Sequence, residues 1–285
     1  MTIVVTGATG HLGRLIIEAL LRDGVTPSTI VAGGRSLDKI DDLVARGVTA
    51  ARIDYADPAS LDAALAGADT VVLVSGSEVG QRVAQHAAVI DAAVRAGVGH
   101  LIYTSAPKAT TSPLVLAPEH KATEEAIAAA GIPATILRNG WYTENYTGQA
   151  EQLRATGRLV ASVGDGRVAS ASRVDYADAA AAVAIGGAPH IGAVYELSGD
   201  VAWDFTQLAA AFTEVLGREV VYVPVSTEEH LAILTGAGLD EGTAGFVVAL
   251  DGNTRDGLLA ETSGDLARLI GRPTTPLVDG IRAAL

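Results

Sequence analysis

The chain contains no cysteine among its 285 residues, which excludes disulfides, thiolate nucleophiles and cysteine-held metal sites. It has no apolar run near the ~18 residues a membrane-spanning helix needs, and Asp23, Asp38 and Asp54 interrupt the early part of the chain. Met1 leads directly into a strand pattern without a basic segment or cleavage site, so a cytoplasmic protein is expected. No His/Asp/Glu group has metal-ligand spacing and no Ser-His-Asp set sits on a nucleophile elbow, so neither a metal nor that kind of hydrolysis is expected. Basic residues are outnumbered, 20 Lys and Arg against 33 Asp and Glu, and the net charge of −13 argues against nucleic-acid or anionic-membrane partners. An anionic cofactor on such a chain must be held by a helix N-terminus and a few basic side chains, which makes single arginines informative. The sequence leaves homo-oligomer formation open.

What is present is a rhythm. Short β-branched runs at Ile3–Thr6, Ile30–Ala32, Ala50–Ile53, Thr70–Val74, His100–Thr104, Ala134–Leu137 and Val194–Leu197 read as strands. Helical patterns at Leu12–Arg22, Leu37–Arg46, Pro58–Ala64, Gln81–Arg95 and His120–Ala130 lie between them. Strands that are apolar throughout, rather than alternating, are buried on both faces. The expectation is an α/β chain: a doubly wound, parallel-sheet Rossmann fold over residues 1–199. After about Gly199 one strand candidate, Val220–Pro224, is followed by helical patterns at Thr227–Ala237, Ala244–Leu250 and Ser263–Leu269. These predict a smaller, mainly helical C-terminal lobe over residues 200–285, packed over the strand ends to complete a substrate cleft.

The first strand runs into Gly7-Ala8-Thr9-Gly10-His11-Leu12-Gly13 and then a helix. Gly7 permits a tight turn, Gly10 lets the backbone approach a pyrophosphate, and Gly13 allows close helix–strand packing. The helix start adds free N–H donors. Thr6, Thr9, His11 and Leu12 complete this candidate dinucleotide-binding stretch. The second strand ends Ala32-Gly33-Gly34-Arg35, with no acid to accept a ribose 2′-hydroxyl and an arginine placed to hold a 2′-phosphate. NADP(H) is therefore expected in preference to NAD(H), with a solvated surface arginine as the plainer reading and Asp38 leaving room for NAD. Further cofactor contacts are expected from strand ends: Asp54 and Tyr55 at the adenine, Ser75, Gly76 and Ser77 along the ribose and pyrophosphate, Thr104 and Ser105 near the nicotinamide.

The spacing GxxGxxG, as TGATGxLG, resembles extended and atypical short-chain dehydrogenase/reductases. Together with Ser77–Arg82, Tyr103–Ser105, Glu119-His120, Arg138–Tyr146, Gly164–Gly166, Tyr195–Gly199 and Leu269–Thr274, it resembles the NmrA-like branch over essentially the whole chain. The likeness is greatest to flavin-free type-2 NAD(P)H:quinone oxidoreductases, with triphenylmethane-dye reductases as near relatives. This resemblance implies hydride transfer from NADPH to a quinone-like small molecule without flavin. It places Asn139, Trp141, Tyr142 and Asn145 toward the substrate: two flat rings and two amides. A helix-start packing motif is the alternative for that block. A dye, imine or enone reductase, or a dinucleotide-sensing regulator of the NmrA type, would share the scaffold.

The Tyr-x-x-x-Lys pair of typical short-chain dehydrogenases is missing. Ala117 stands four residues before Lys121, and Lys108 is one place too far from Tyr103. Counting back 11 residues from Gly131, where isoflavone-reductase-like relatives keep a lysine, gives His120. His120 is thus the catalytic candidate, either anchoring the cofactor ribose or bonding the acceptor oxygen, with a capping or surface histidine as the alternative. His86, inside a helical pattern, reads as a packing or capping partner. Loss of the acid fits a quinone acceptor, because hydride addition yields a weakly basic phenolate rather than an alkoxide.

Overall fold

The computed structural model describes residues 1–78 and 80–285, so Val79, within the Ser77–Arg82 block, lies outside the described residues. The chain begins β1 (Ile3–Val5), α1 (His11–Arg22), β2 (Ile30–Gly34), α2 (Asp41–Ala45), β3 (Thr49–Arg52), α3 (Pro58–Leu65), β4 (Thr70–Leu73) and α4 (Arg82–Ala96). It continues through β5 (His100–Ser105), α5 (Ala117–Ala130), β6 (Ala134–Asn139), α6 (Ala150–Thr156), β7 (Arg158–Ala161), β8 (Arg167–Val168) and α7 (Arg173–Gly186). The last third holds β9 (Val194–Leu197), β10 (Trp203–Asp204), α8 (Phe205–Leu216), β11 (Val221–Pro224), α9 (Thr227–Gly236), α10 (Glu241–Arg255), α11 (Asp265–Ile270) and α12 (Leu277–Ala284).

All seven expected strands of the first part meet in one sheet, ordered β3-β2-β1-β4-β5-β6-β9, every pair parallel. Its central strands are apolar on both faces because helices cover both: β1, β4 and β5 are buried at every position. The helices α4 and α5 end where Gly97 and Gly131 adopt left-handed conformations, which turns the chain back into β5 and β6.

The alanine-rich stretch Ala177–Ala184, in none of the helical patterns noted above, lies in the buried helix α7. Ala177, Ala180, Ala181 and Ala184 are small enough to seat α7 against Ile16, Ile17 and Leu20 of α1. A helix with no polar face lacks the amphipathic period that announces helices on a surface. The helix α8 was also unannounced, although its Asp204/Gln207 capping box is complete.

A second apolar core joins Leu153, Leu159 and Val163 to Trp203, Phe205, Phe212 and Ile281. It draws on segments on both sides of Gly199, because the chain leaves the sheet after β6 to form α6, β7 and β8 and returns for α7 and β9. Here β11 pairs in parallel with β7, and β10 pairs antiparallel with β8. Among the described residues no helix is long and apolar enough to cross a membrane.

Candidate active site

Parallel strands send their connecting loops to one edge of the sheet, and a crevice opens where strand order reverses. Here that reversal lies between β1 and β4. A cleft of about 470 Å³ occupies it, lined by Gly7, Thr9, Gly10, His11, Leu12 and Gly13 from the first turn, with Arg35 after β2, Asp54 and Tyr55 after β3, and Ser75, Gly76 and Ser77 after β4. The structure therefore gathers most of the expected cofactor residues into one cavity.

The turn is built for close approach. Gly7 has φ +62°, a conformation that L side chains rarely adopt. At Gly13 a Cβ would stand 2.4 Å from the Gly7 carbonyl oxygen, so α1 touches the turn where any side chain would push them apart. The helix starts at His11 with Gly10 as N-cap, no side-chain cap and no acid in its first turn. Its first N–H groups and positive dipole end therefore remain for an anion. A shallow backbone cradle with that electrostatic character fits a dinucleotide pyrophosphate.

Arg35 is at the mouth, its side chain 68% exposed, and its guanidinium donates to Glu78 Oε1 at 3.0 Å. The other expected residues are placed less directly. Thr6 is buried beneath the cleft, its hydroxyl receiving the Val74 N–H at 3.0 Å and lying 2.6 Å from the Tyr55 hydroxyl. Tyr55 thus turns its polar end inward toward β1 and β4 and leaves its ring to the cavity. Thr104 supports the loop after β4 by accepting the Ser75 N–H at 2.9 Å. Ser105 faces away and donates to Glu124 at 2.6 Å.

That loop is held by buried side chains whose part in the site the sequence reading missed. The Gly76 N–H donates to His86 Nε2 at 3.0 Å, which leaves the ring proton on Nδ1, donated to Thr123 Oγ1 at 3.0 Å. Arg82 Nε donates to the Gly76 carbonyl at 2.8 Å, and its other arm pairs with Glu119 at 2.6 Å. Glu119 also accepts the Gly80 N–H at 2.8 Å. His86, read as a packing partner, is the anchor of the cleft wall. The available signal was the spacing of Arg82 and His86, one helical turn apart on α4.

His120 does not line the cleft. It is buried on α5 with Nδ1 2.8 Å from the Tyr103 hydroxyl, and burial, then Arg82 and His86, push its pKa down to about 3. The imidazole is neutral, so the geometry gives no support to a substrate-facing acid here. Its place behind β5 follows from the inward face of α5, which also carries Thr123 and Ile127.

The Arg138–Tyr146 block is split. Tyr142 lines the same cleft as the glycine turn, its ring edge-on to Tyr176 and 5.1 Å from the Arg173 guanidinium carbon. Asn139, at the end of β6, donates Nδ2–H to the Tyr142 hydroxyl at 3.2 Å, and its buried Oδ1 has no hydrogen-bond partner among the described residues. Trp141 lines a second, smaller cavity of about 30 Å³ with Pro107, Lys108, Leu197 and Leu258. Asn145 is exposed and accepts from Arg173 at 3.1 Å, outside both cavities. Arg138 itself is structural: it forks onto Glu124 at 2.7 and 3.0 Å and reaches Glu196 at 2.8 Å. Glu196 in turn accepts the N–H of Lys108 at 3.0 Å. Lys108 is the one described non-glycine residue with positive φ, +46°. Among the described residues no group of three potential metal ligands comes together.

The chain is 47% identical to quinone oxidoreductase 2 of Escherichia coli K12, over 98% of this chain and 97% of that protein. The E. coli NADPH-dependent quinone oxidoreductase solved with NADPH superposes with a TM-score of 0.93 at 46% identity, covering 99% of both chains. Triphenylmethane reductase of Citrobacter sp., solved with NADP(H), gives 0.93 at 38% identity over the full length of both. The model of the NmrA-like family matches residues 1–250, and the chain belongs to that family.

Proposed function

We propose that this chain is an NADPH-dependent, flavin-free reductase that passes hydride to a quinone or a similar electron-poor conjugated acceptor. The observation that carries the reading is the continuity of the cleft: Tyr142, from the block after β6, lines the same cavity as the glycine turn and Arg35. One cavity thus joins a dinucleotide cradle to an aromatic wall. The full-length relatives solved with NADPH and NADP(H) support the cofactor, and that they are a quinone oxidoreductase and a triphenylmethane reductase supports the acceptor class.

Bound NADPH supplies the hydride. The protein's part is to hold and orient. Backbone donors of the turn and of α1 take the pyrophosphate, Arg35 takes the 2′-phosphate, and Ser75 and Ser77 border the sugar. Tyr142 offers its ring to a planar acceptor in the cleft, and Asn139 orients that ring by donating to its hydroxyl, while Trp141 stands beside the separate smaller cavity. Leu258 and Leu259 line that smaller cavity from the C-terminal part of the chain, which we propose as the smaller lobe beside the cleft.

The acceptor takes up two electrons as hydride and later one proton. The anion produced from a quinone is a phenolate, about as basic as tyrosinate with a pKa of ~10. Water is acid enough to complete that step, which is consistent with a buried neutral His120 and no lysine–tyrosine pair.

The test is oxidation of NADPH by benzoquinones, naphthoquinones and triphenylmethane dyes with no flavin added. Turnover is expected on at least one class. Tight NADPH binding without turnover on any would reject the enzyme and favour a dinucleotide-sensing regulator. Arg35→Ala is expected to lower the NADPH-to-NADH ratio of kcat/KM on the order of tenfold, the scale of a charge-assisted hydrogen bond partly screened by solvent.

A further inference from the structure

One arm of the Arg35 guanidinium, the group a 2′-phosphate needs, is already engaged by an anion belonging to the protein. Glu78 Oε1 sits 3.0 Å from the guanidinium, and Glu78 Oε2 accepts from Gln85 Nε2 at 2.9 Å. Arg35, Glu78 and Gln85 all line the cofactor cleft. The bridge spans it, from the loop after β2 to the loop after β4.

Glu78 is presented by a loop pinned on both sides. Two residues before it, both polar backbone groups of Gly76 are tied, the N–H to His86 and the carbonyl to Arg82. Two residues after it, the Gly80 N–H is tied to Glu119. The anchoring side chains are themselves buried: His86 is 0% and Arg82 5% exposed. The Glu78 carboxylate, half exposed, is thus carried on a backbone tied to buried side chains and is bonded to Arg35 and Gln85 at the mouth.

We propose that Glu78 is a specificity-determining residue that competes with the cofactor's 2′-phosphate for Arg35. A 2′-phosphorylated dinucleotide must take the guanidinium from Glu78 and sit beside a like charge. An unphosphorylated one has no need of that guanidinium and meets no such competitor. Glu78 therefore narrows the preference that Arg35 creates and leaves the chain able to use both cofactors. This rests on the reading of Arg35 as the 2′-phosphate receptor.

The test is calorimetric binding of 2′,5′-ADP and 5′-AMP, two cofactor fragments that differ by the 2′-phosphate, to the wild-type, Glu78→Gln and Arg35→Ala proteins. Glu78→Gln is expected to tighten 2′,5′-ADP by about two- to fivefold, the range of exposed ion pairs, and to leave 5′-AMP within error. The gain should shrink at ~0.5 M salt, where exposed charges are screened within a few ångströms. Unchanged or weaker 2′,5′-ADP binding in Glu78→Gln overturns the proposal, as does an equal change for both fragments, which would mark Glu78 as a prop for the loop. The Arg35→Ala arm separates the two claims. If it leaves the 2′,5′-ADP to 5′-AMP ratio unchanged, the reading of Arg35 falls; if it lowers that ratio while Glu78→Gln does nothing, only the competition falls.

Discussion

Adding a methyl group at Gly13 sets two well-sized effects against each other. Gly13 is the third residue of α1, and alanine is favoured over glycine inside a helix by about 1 kcal/mol. On propensity alone Gly13→Ala would stabilise the protein. The added Cβ, however, falls 2.4 Å from the Gly7 carbonyl oxygen, 2.6 Å from the Gly7 carbonyl carbon and 2.9 Å from the Ala8 nitrogen. All three are backbone atoms of the tight turn, so no rotamer change relieves the overlap. Overpacking of this kind costs about 1–3 kcal/mol when the surroundings yield, and here they yield only by moving the turn away from the helix. The net expectation is a loss of up to about 2 kcal/mol of stability, and NADPH binding at least tenfold weaker because the cradle is spread. Gly245→Ala, in α10 with open space around the new atom, is the paired control and should gain about 0.5–1 kcal/mol. Urea unfolding and NADPH fluorescence titration of both variants decide the matter. A Gly13→Ala protein as stable as Gly245→Ala, with wild-type NADPH affinity, would refute the close-approach argument.

Stability should fall with acid over a defined window. Burial first, and Arg82 next, push His86 down to about 4, while His120 is held at about 3, so both stay neutral in the folded protein. The unfolded chain protonates them below about 6.5, so this contribution is intact above that value and is lost progressively as pH falls from there to about 4 for His86 and about 3 for His120, by up to about 1.4 kcal/mol per unit per histidine. Urea midpoints near pH 7.5 and about pH 5.5 should differ, and the double variant His86→Gln, His120→Gln should flatten the dependence; an equal slope in both proteins sinks the assignment. Arg138→Met should destabilise by about 3–5 kcal/mol, because it strands Glu124, whose side chain is only 8% exposed. Adding Glu124→Gln should recover part of that loss in thermal unfolding, and no recovery would mean that the arginine acts through packing alone.

Most of the fold was legible in the sequence because the sheet is central and its strands are short, apolar and separated by helices of ordinary length. Val71 and Val72 or Leu101 and Ile102 have no alternative to burial, and the glycines that end α4 and α5 punctuate the pattern. The lobe was less legible. The strand β7, Arg-Leu-Val-Ala, has no signal beyond its four residues until β11, over 50 residues later, pairs with it. The glycine turn and the cleft it lines were legible because they are made largely of backbone, and backbone geometry leaves its mark as glycine. His120 and Asn145 were not, because side-chain direction decides their part. The imidazole turns under β5 to Tyr103, and Asn145 turns outward to Arg173. A motif gives spacing along the chain, and neither rotation was encoded in that spacing.

The same division explains how so acidic a chain can hold a polyanion. Among the described residues lining the cleft, Arg35 is the one arginine or lysine, and it is already partnered by Glu78. Side-chain charge therefore contributes little net attraction. Retention must come from aligned backbone N–H groups at the turn and the start of α1, whose partial charges are fixed in place and need no ordering when an anion arrives. Affinity then belongs to the glycine turn and depends on how closely Gly13 lets α1 approach it. On the proposed reading, choice between cofactors belongs to the Arg35–Glu78 pair, which a ligand without a 2′-phosphate would leave intact. Substitutions at the turn should weaken all dinucleotides together, and substitutions at the pair should move them apart.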